Sequence, residues 1–135
     1  MTKLLSFNIK TLQGGVEGRP SPDRLIEGDP VTTTWLMEDQ AAQAGIWAAT
    51  EGAQRMERGD TTWELFTILD GEVEIAEDGG APQRFGPGDT VIVKPGFQGI
   101  WRTLHPVKKS FVTLEIPSSS LGRSNSLKDD AADRV

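Results

Sequence analysis

The chain contains no cysteine and a single histidine, and these two scarcities remove several kinds of site. Without cysteine there can be no disulfide, no thiolate nucleophile and no cysteine-ligated zinc. This composition suits the cytoplasm, where we expect the protein to reside. The histidine, His105, precedes Pro106 in a predicted turn and has no catalytic partner beside it in the sequence. We therefore expect it to face solvent.

The chain also lacks an excess of positive charge and a long hydrophobic run. Its 20 acidic and 14 basic residues give a net charge of −6, which argues against the phosphate contacts that nucleic-acid binding requires. No segment is apolar over the length that spans a membrane. Residues 1–8 have neither a continuous apolar core nor a small-residue cleavage site, so they do not resemble a signal peptide. We expect neither a nucleic-acid nor a membrane partner.

Short apolar runs alternate with turn signals between Trp63 and Trp101. Glycine tolerates the positive φ that tight turns need. Proline has a fixed φ that suits a turn, and the side chain of aspartate can hydrogen-bond to the backbone of the turn. Many short strands separated by such signals predict an antiparallel sandwich or barrel. The predicted bend and turns are Asp70-Gly71, Glu77-Asp78-Gly79-Gly80, Gly86-Pro87-Gly88-Asp89 and Pro95-Gly96.

The length of 135 residues fits one domain. Residues 1–21 are predicted to form an N-terminal strand (Met1–Ile9) and a glycine-bearing arm, and residues 22–117 the domain itself. Ser21 followed by Pro22 predicts one short helical turn, with serine as its cap. Residues 118–135 form a polar tail, either loosely ordered or held against a partner subunit by Leu121 and Leu127.

Two stretches resemble the conserved motifs of the cupin superfamily. Glu64 with Gly71 resembles the end of the first motif, and Gly88-Asp89 with Pro95-Gly96 resembles the second. The resemblance implies an all-β, cupin-type double-stranded β-helix, which is a jelly-roll barrel. Further segments are similar to a family of small single-domain cupins that resemble the cupin domain of (S)-ureidoglycine aminohydrolase. These segments are Pro22–Pro30, Trp35, Ala44–Trp47, Phe97–Trp101 and Lys108–Val112.

The same resemblance bears on metal binding. Metal-binding cupins hold their ion with three histidines and a glutamate, and the histidine positions here are occupied by Arg58, Asp60 and Gly99. Glu64 alone remains, and one carboxylate does not replace three imidazoles. We therefore expect no metal cofactor. An oxygen-only set of Asp60, Glu64 and Gln98 is the remaining alternative for Mn²⁺ or Mg²⁺, and manganese is the metal of the aminohydrolase, although Arg58 would repel a cation.

Glu64 and Lys109 are the candidate catalytic residues. Strand alternation places Glu64 on the face of Phe66, which is apolar enough to point inward. A buried carboxylate needs a partner, so Glu64 either forms a structural ion pair with Arg55, Arg58 or Lys109, or serves in ligand binding or proton transfer. The resemblance implies that Lys109 also points inward, as an anion anchor or a base with a shifted pKa.

Aromatic residues supply the other candidates for the cavity. Trp47 and Trp101 lie on strands whose counterparts in cupins line the cavity, and indoles suit a small planar or amide-bearing ligand. We expect Trp35 and Trp63 at a sheet edge or subunit contact, and Phe85 and Phe111 in the core. The predicted ligand-binding residues are Trp47, Phe66, Phe97, Trp101 and Arg55.

These residues support two functions of different classes. The first is a module that binds a small polar metabolite in the barrel without a histidine metal site. The second is a metal-independent or Mn-dependent hydrolase, isomerase or epimerase acting on a small nitrogenous or carbohydrate substrate, with Glu64 as acid–base and Lys109 as substrate clamp. A single barrel leaves sheet edges open, so we also expect a homodimer.

Overall fold

The computed structural model describes residues 3–117 as an antiparallel sheet of nine strands. Those residues contain no helix, and so none that is long and apolar enough to cross a membrane. The predicted all-β class is therefore confirmed. The strands are β1 (Val16–Gly18), β2 (Leu25–Gly28), β3 (Thr32–Asp39), β4 (Ala42–Ala49), β5 (Gly52–Glu57), β6 (Thr62–Glu77), β7 (Gln83–Phe85), β8 (Thr90–Val93) and β9 (Gln98–Glu115).

Two long strands organise the sheet. Strand β9 pairs with β6 along one edge, and with β4 and then β5 along the other. Strand β6 pairs on its far edge with β8 and β7. Because every long strand is shared between two sets of neighbours, the sheet curls on itself into the predicted jelly-roll barrel. The barrel interior therefore receives alternate side chains from β4, β5, β6, β8 and β9.

Both long strands bend at the same level. The pairing of β6 with β9 shifts register between Ile68 and Val73, on either side of the predicted bend at Asp70-Gly71. Gly71 has a φ of 87°, and a Cβ there would overlap the carbonyl group of Pro106 on β9. Glycine is thus required where the two strands approach most closely. The sequence predicts a break at His105-Pro106, but β9 continues through it, because the irregular register accommodates a residue without an N–H donor.

The N-terminal region contains the predicted turn but lacks the predicted strand. The predicted helical turn is a single turn in which the amides of Arg24 and Leu25 donate to the carbonyl oxygen of Ser21. It stops there because β2 begins at Leu25 and pairs with β5. The strand predicted over Met1–Ile9 is also absent from residues 3–9, and the arm itself supplies β1, which pairs with β3. Leu121 and Leu127 lie outside the described residues.

The hydrophobic core lies in the barrel interior, along the inner face of β6. Phe66, Ile68 and Val73 of β6 are completely or almost completely buried. They belong to one cluster that Phe85 and Phe111, both partly buried, pack against. This cluster includes residues on both sides of the bend at Gly71.

The outer face of the sheet carries an apolar row. Leu65 lies opposite Ile92 of β8 on one side and Val112 of β9 on the other, and Leu114 lies two residues farther along β9. These four side chains are between 37% and 59% exposed. Trp63, opposite Leu114, has a buried indole N–H with no acceptor among the described residues. A contiguous exposed apolar row of this kind is typical of an association surface.

We propose that this row is the contact between two copies of the chain. The intact protein should sediment as a dimer at micromolar concentration, and the double variant Leu65→Glu/Ile92→Glu should sediment as a monomer because charge cannot be buried there without a partner. The matched control is Ile26→Glu, an exposed isoleucine on the edge strand β2, which should leave the dimer intact. An intact chain that sediments as a monomer would contradict the proposal.

Candidate functional site

An open cavity of about 210 Å³ lies at one end of the barrel, between the inner faces of β4, β5, β6 and β9. Six of its twelve lining residues are charged, four are apolar and two are polar without charge, and three of the charged residues meet at the floor. The lining residues are Arg24, Trp47, Gln54, Arg55, Met56, Glu57, Arg58, Glu64, Trp101, Lys109, Phe111 and Thr113.

Glu64 forms the floor of this cavity. It points inward from β6, between Val93 of β8 and Thr113 of β9, and is only 2% exposed. Its Oε1 accepts hydrogen bonds from Nε of Arg58, at 2.8 Å, and from Nη2 of the same residue. Its Oε2 accepts one from Nζ of Lys109 at 2.8 Å. Of the three partners that the sequence allows, the structure thus selects Arg58 and Lys109.

Lys109 is enclosed by aromatic rings. It projects inward from β9, opposite Trp47 of β4 and Ile68 of β6, and its side chain is 7% exposed. Its Nζ lies 4.9 Å from the ring centroid of Trp47, 4.5 Å from that of Phe66 and 4.7 Å from that of Trp101. Ring faces attract a cation, most strongly where water is excluded. The predicted inward orientation of Lys109 is what the structure shows.

The surroundings of Glu64 and Lys109 shift the pKa values of both groups, for different reasons. Burial alone would raise the pKa of Glu64, but the charges of Lys109 and Arg58 and their hydrogen bonds outweigh it and hold that pKa below its ordinary value. Burial lowers the pKa of Lys109, against the opposing effect of Glu64. Glu64 is therefore ionised at neutral pH and is no proton donor there, whereas Lys109 is the group displaced toward neutrality.

Trp47 and Trp101 meet inside the barrel. Their ring centroids are 5.3 Å apart and their planes are at 88°, which is an edge-to-face contact. Trp101 is 3% exposed and donates its indole N–H to Oγ1 of Thr103 at 2.9 Å. Trp47 is partly exposed. Both line the cavity, as the sequence predicts. Trp47 forms part of the cavity wall, whereas Trp101 also belongs to the hydrophobic core.

The remaining predicted ligand-binding residues are distributed more widely. Arg55 lines the cavity but donates two hydrogen bonds of 2.8 Å to the carboxylate of Asp78. Phe66 lies behind the cavity, in contact with Lys109 and Trp101 and fully buried. Phe97 lines a separate cavity of about 510 Å³ beside β7 and β8. The structure therefore brings Arg55 to the site, places Phe66 in its support and does not bring Phe97 to it.

The donor set does not fit a cation. Both oxygens of Glu64 accept hydrogen bonds from cationic groups, so a metal ion there would face Arg58 and Lys109 at close range. Asp60 and Gln98, the other members of the oxygen-only set, are not among the residues that line the cavity. Within residues 3–117 no cluster of three acidic, histidine or cysteine side chains has a metal-binding arrangement.

The sequence-based prediction gave Arg58 too small a role in the site and missed several other lining residues. Arg58 occupies a histidine position of the cupin motif, and that position was the available signal that its side chain reaches the cavity. Arg24, Gln54, Met56 and Thr113 also line the cavity, and nothing in their local sequence distinguishes them. They reach it only because β2, β5 and β9 curl around the same opening.

Comparison with known proteins identifies the domain. Residues 36–111 match the EutQ-like cupin domain. No curated protein sequence matches the chain.

Solved structures share the fold at low sequence identity. A DUF861 family protein of unknown function from Pseudomonas syringae pv. tomato has a TM-score of 0.65 and 22% identity, over 76% of this chain and 45% of that one. The Clostridium difficile EutQ protein has a TM-score of 0.56 and 16% identity, over 64% of each chain. Ectoine synthase from P. lautus has a TM-score of 0.56 and 12% identity, over 69% of this chain and 71% of its own. The match thus spans less than two thirds of the length of the first two proteins.

The ion pair at the floor of the cavity predicts a large effect of Glu64→Gln. This substitution keeps the shape of the side chain but leaves Arg58 and Lys109 without their anionic partner, which should lower the free energy of unfolding by about 3 kcal/mol. Chemical denaturation measures it. The matched control is Glu72→Gln, which removes an ion pair with Arg84 near the surface and should cost under about 1 kcal/mol. Equal losses in the two variants would contradict the assignment.

The depressed pKa of Glu64 also predicts a pH dependence. The stabilisation that ionised Glu64 provides is complete above its ordinary pKa of 4.5 and is lost as the pH falls through its lower value in the folded protein. The stability difference between wild type and Glu64→Gln should therefore be constant from neutral pH to about 4.5 and shrink below it. Denaturation curves of both proteins across this range measure it, since all other groups titrate in both. A difference that shrinks already above that value would contradict the lowered pKa.

Proposed function

This chain belongs to the EutQ-like cupin domain family, and from that premise we propose that it binds a small polar metabolite in the barrel cavity without a histidine metal site. One observation carries the proposal: a buried cluster of Glu64, Arg58 and Lys109 at the floor of an open, tryptophan-walled cavity. Small-molecule sites combine apolar walls with a few convergent polar groups in this way. Well-packed apolar residues in place of a buried ion cluster are often as stabilising or more so, which supports a role for these charges in binding.

A second candidate function rests on Lys109. Its lowered pKa brings this buried amine closer to the range in which it exchanges protons at physiological pH. This favours a metal-independent hydrolase, isomerase or epimerase related to (S)-ureidoglycine aminohydrolase, acting on a small nitrogenous or carbohydrate substrate. In such an enzyme Lys109 would be the base, and the ionised Glu64 would orient it. The manganese-dependent form of this hypothesis has no support in the donor set.

A thermal-shift screen of small polar metabolites tests the binding proposal. A ligand of the folded state should raise the unfolding midpoint in a concentration-dependent manner, and Trp47→Ala should abolish that shift because it removes a wall of the cavity. The matched control is Trp35→Ala. Trp35 lies on the outer side of the sheet under Nζ of Lys108, 5.5 Å from its ring centroid, so its loss should leave the shift unchanged. A screen without any stabilising compound, or a shift that survives Trp47→Ala, would contradict the proposal.

A further inference from the structure

The buried cluster does not balance its own charge. Glu64 contributes one negative charge, and Arg58 and Lys109 together contribute two positive charges when the lysine is protonated. The surplus is one positive charge, in a chain whose net charge is −6. A buried charge without a counter-ion is costly. Burial lowers the pKa of Lys109 and so reduces this cost, and a bound anion would remove it.

The cluster also has more hydrogen-bond donors than acceptors. Arginine has five N–H donors and lysine has three. Among the described residues, Arg58 uses three of its own, two toward Glu64 and one from Nη1 toward the carbonyl oxygen of Glu57 at 2.7 Å. Lys109 uses one, toward Glu64. Four donors therefore have no oxygen acceptor among the described residues, two on Arg58 beside the cavity and two on Lys109 among the aromatic rings, while both oxygens of Glu64 are already engaged.

The other charged residues around the cavity have partners away from its floor, and Glu57, the carboxylate in excess among them, has a side chain that is 45% exposed to solvent. Arg55 pairs with Asp78, and its Nε lies 3.9 Å from Glu57. Arg24 is exposed and lies next to Asp23, a carboxyl whose pKa is lowered mainly by a hydrogen bond with the Ser21 side chain and to a smaller extent by the charge of Arg24. The unbalanced charge and the unused donors therefore coincide at the floor of the cavity, between Arg58 and Lys109.

We propose that the ligand of this cavity is a small organic monoanion with a carboxylate head. This inference rests on the proposed function and names its ligand class. The carboxylate oxygens accept the unused N–H groups of Arg58 and Lys109, and one negative charge cancels the surplus of the cluster. The carbon body lies against Trp47 and Phe111. A volume of about 210 Å³ limits that body to a few carbons or a single ring, since a water molecule alone takes about 30 Å³.

Matched carboxylate and amide pairs test the charge requirement. The probes are acetate and acetamide, butyrate and butyramide, and benzoate and benzamide, each pair being nearly equal in shape. At neutral pH, calorimetric or NMR titration should give at least tenfold tighter binding for the carboxylate of at least one pair. Arg58→Gln should reduce that preference to near unity because the remaining Glu64–Lys109 pair is neutral. The control Arg84→Gln, on the exposed strand β7, should retain it.

A second measurement uses the wild-type protein and does not depend on the stability of a variant. Of the titratable and charged groups, Glu64 from β6 and Arg58 act on Lys109, while β4 contributes the ring of Trp47. A bound anion favours the protonated form of Lys109, so carboxylate binding should weaken as the pH rises through the range in which Lys109 loses its proton, and it should take up protons within that range. Titrations in buffers of different ionisation enthalpy measure that uptake. Amide binding should show neither effect.

The outcomes separate this inference from the function on which it rests. If amides bind as tightly as their carboxylates, or if carboxylate binding is as tight above the pH at which Lys109 loses its proton as below it, the assignment of a monoanion is wrong and the cavity still binds small molecules. If no probe and no compound of the metabolite screen binds, the proposed function is wrong as well.

Discussion

A single buried carboxylate imposes the main constraint on this structure. Glu64 lies inside the barrel, where an ionised group is tolerated only with partners of opposite charge. Arg58 and Lys109 are those partners, and they come from different parts of the sheet. The ion cluster therefore ties β6 and β9 to the end of β5 at one point. Lys109 in turn needs surroundings that accept an ammonium group, and the rings of Trp47, Phe66 and Trp101 supply them.

The same cluster changes the chemistry that the barrel supports. In the metal-binding cupins that this chain resembles, neutral imidazoles and a glutamate converge on a cation. Here a guanidinium occupies one of the histidine positions and an ammonium reaches the same glutamate, so the carboxylate oxygens are already engaged. The groups of the cluster that are not already hydrogen-bonded are N–H donors rather than acceptor lone pairs. Such a floor suits acceptor-rich ligands, and it explains why the site lacks the features of a metal centre.

Strand alternation separates the two adjacent lysines into different roles. Lys108 and Lys109 are neighbours on β9, and alternate residues of a strand face opposite sides of the sheet. Lys108 lies over Trp35 on the outer face, and Lys109 lies beside Trp47 in the interior. The two lysine–tryptophan pairs have similar chemistry, but only the inner one is shielded from water and close to a carboxylate. Burial, more than residue type, makes Lys109 a candidate for function.

The sequence by itself determined the all-β class, the bend at Gly71 and the inward position of Glu64, because turn chemistry and the two-residue period of strands are local properties. The inward position of Lys109 was implied by the resemblance to small cupins. The sequence also excluded a three-histidine metal site of the cupin type, because the chain contains a single histidine. It could not determine that β9 runs through Pro106, that Phe97 faces another cavity, or that Arg58 rather than Arg55 pairs with Glu64. Only the tertiary structure decided those points, because each depends on where strands far apart in the chain curl together around one opening. The competing arginines are three residues apart, and their partners are set by distances across the barrel rather than along the chain.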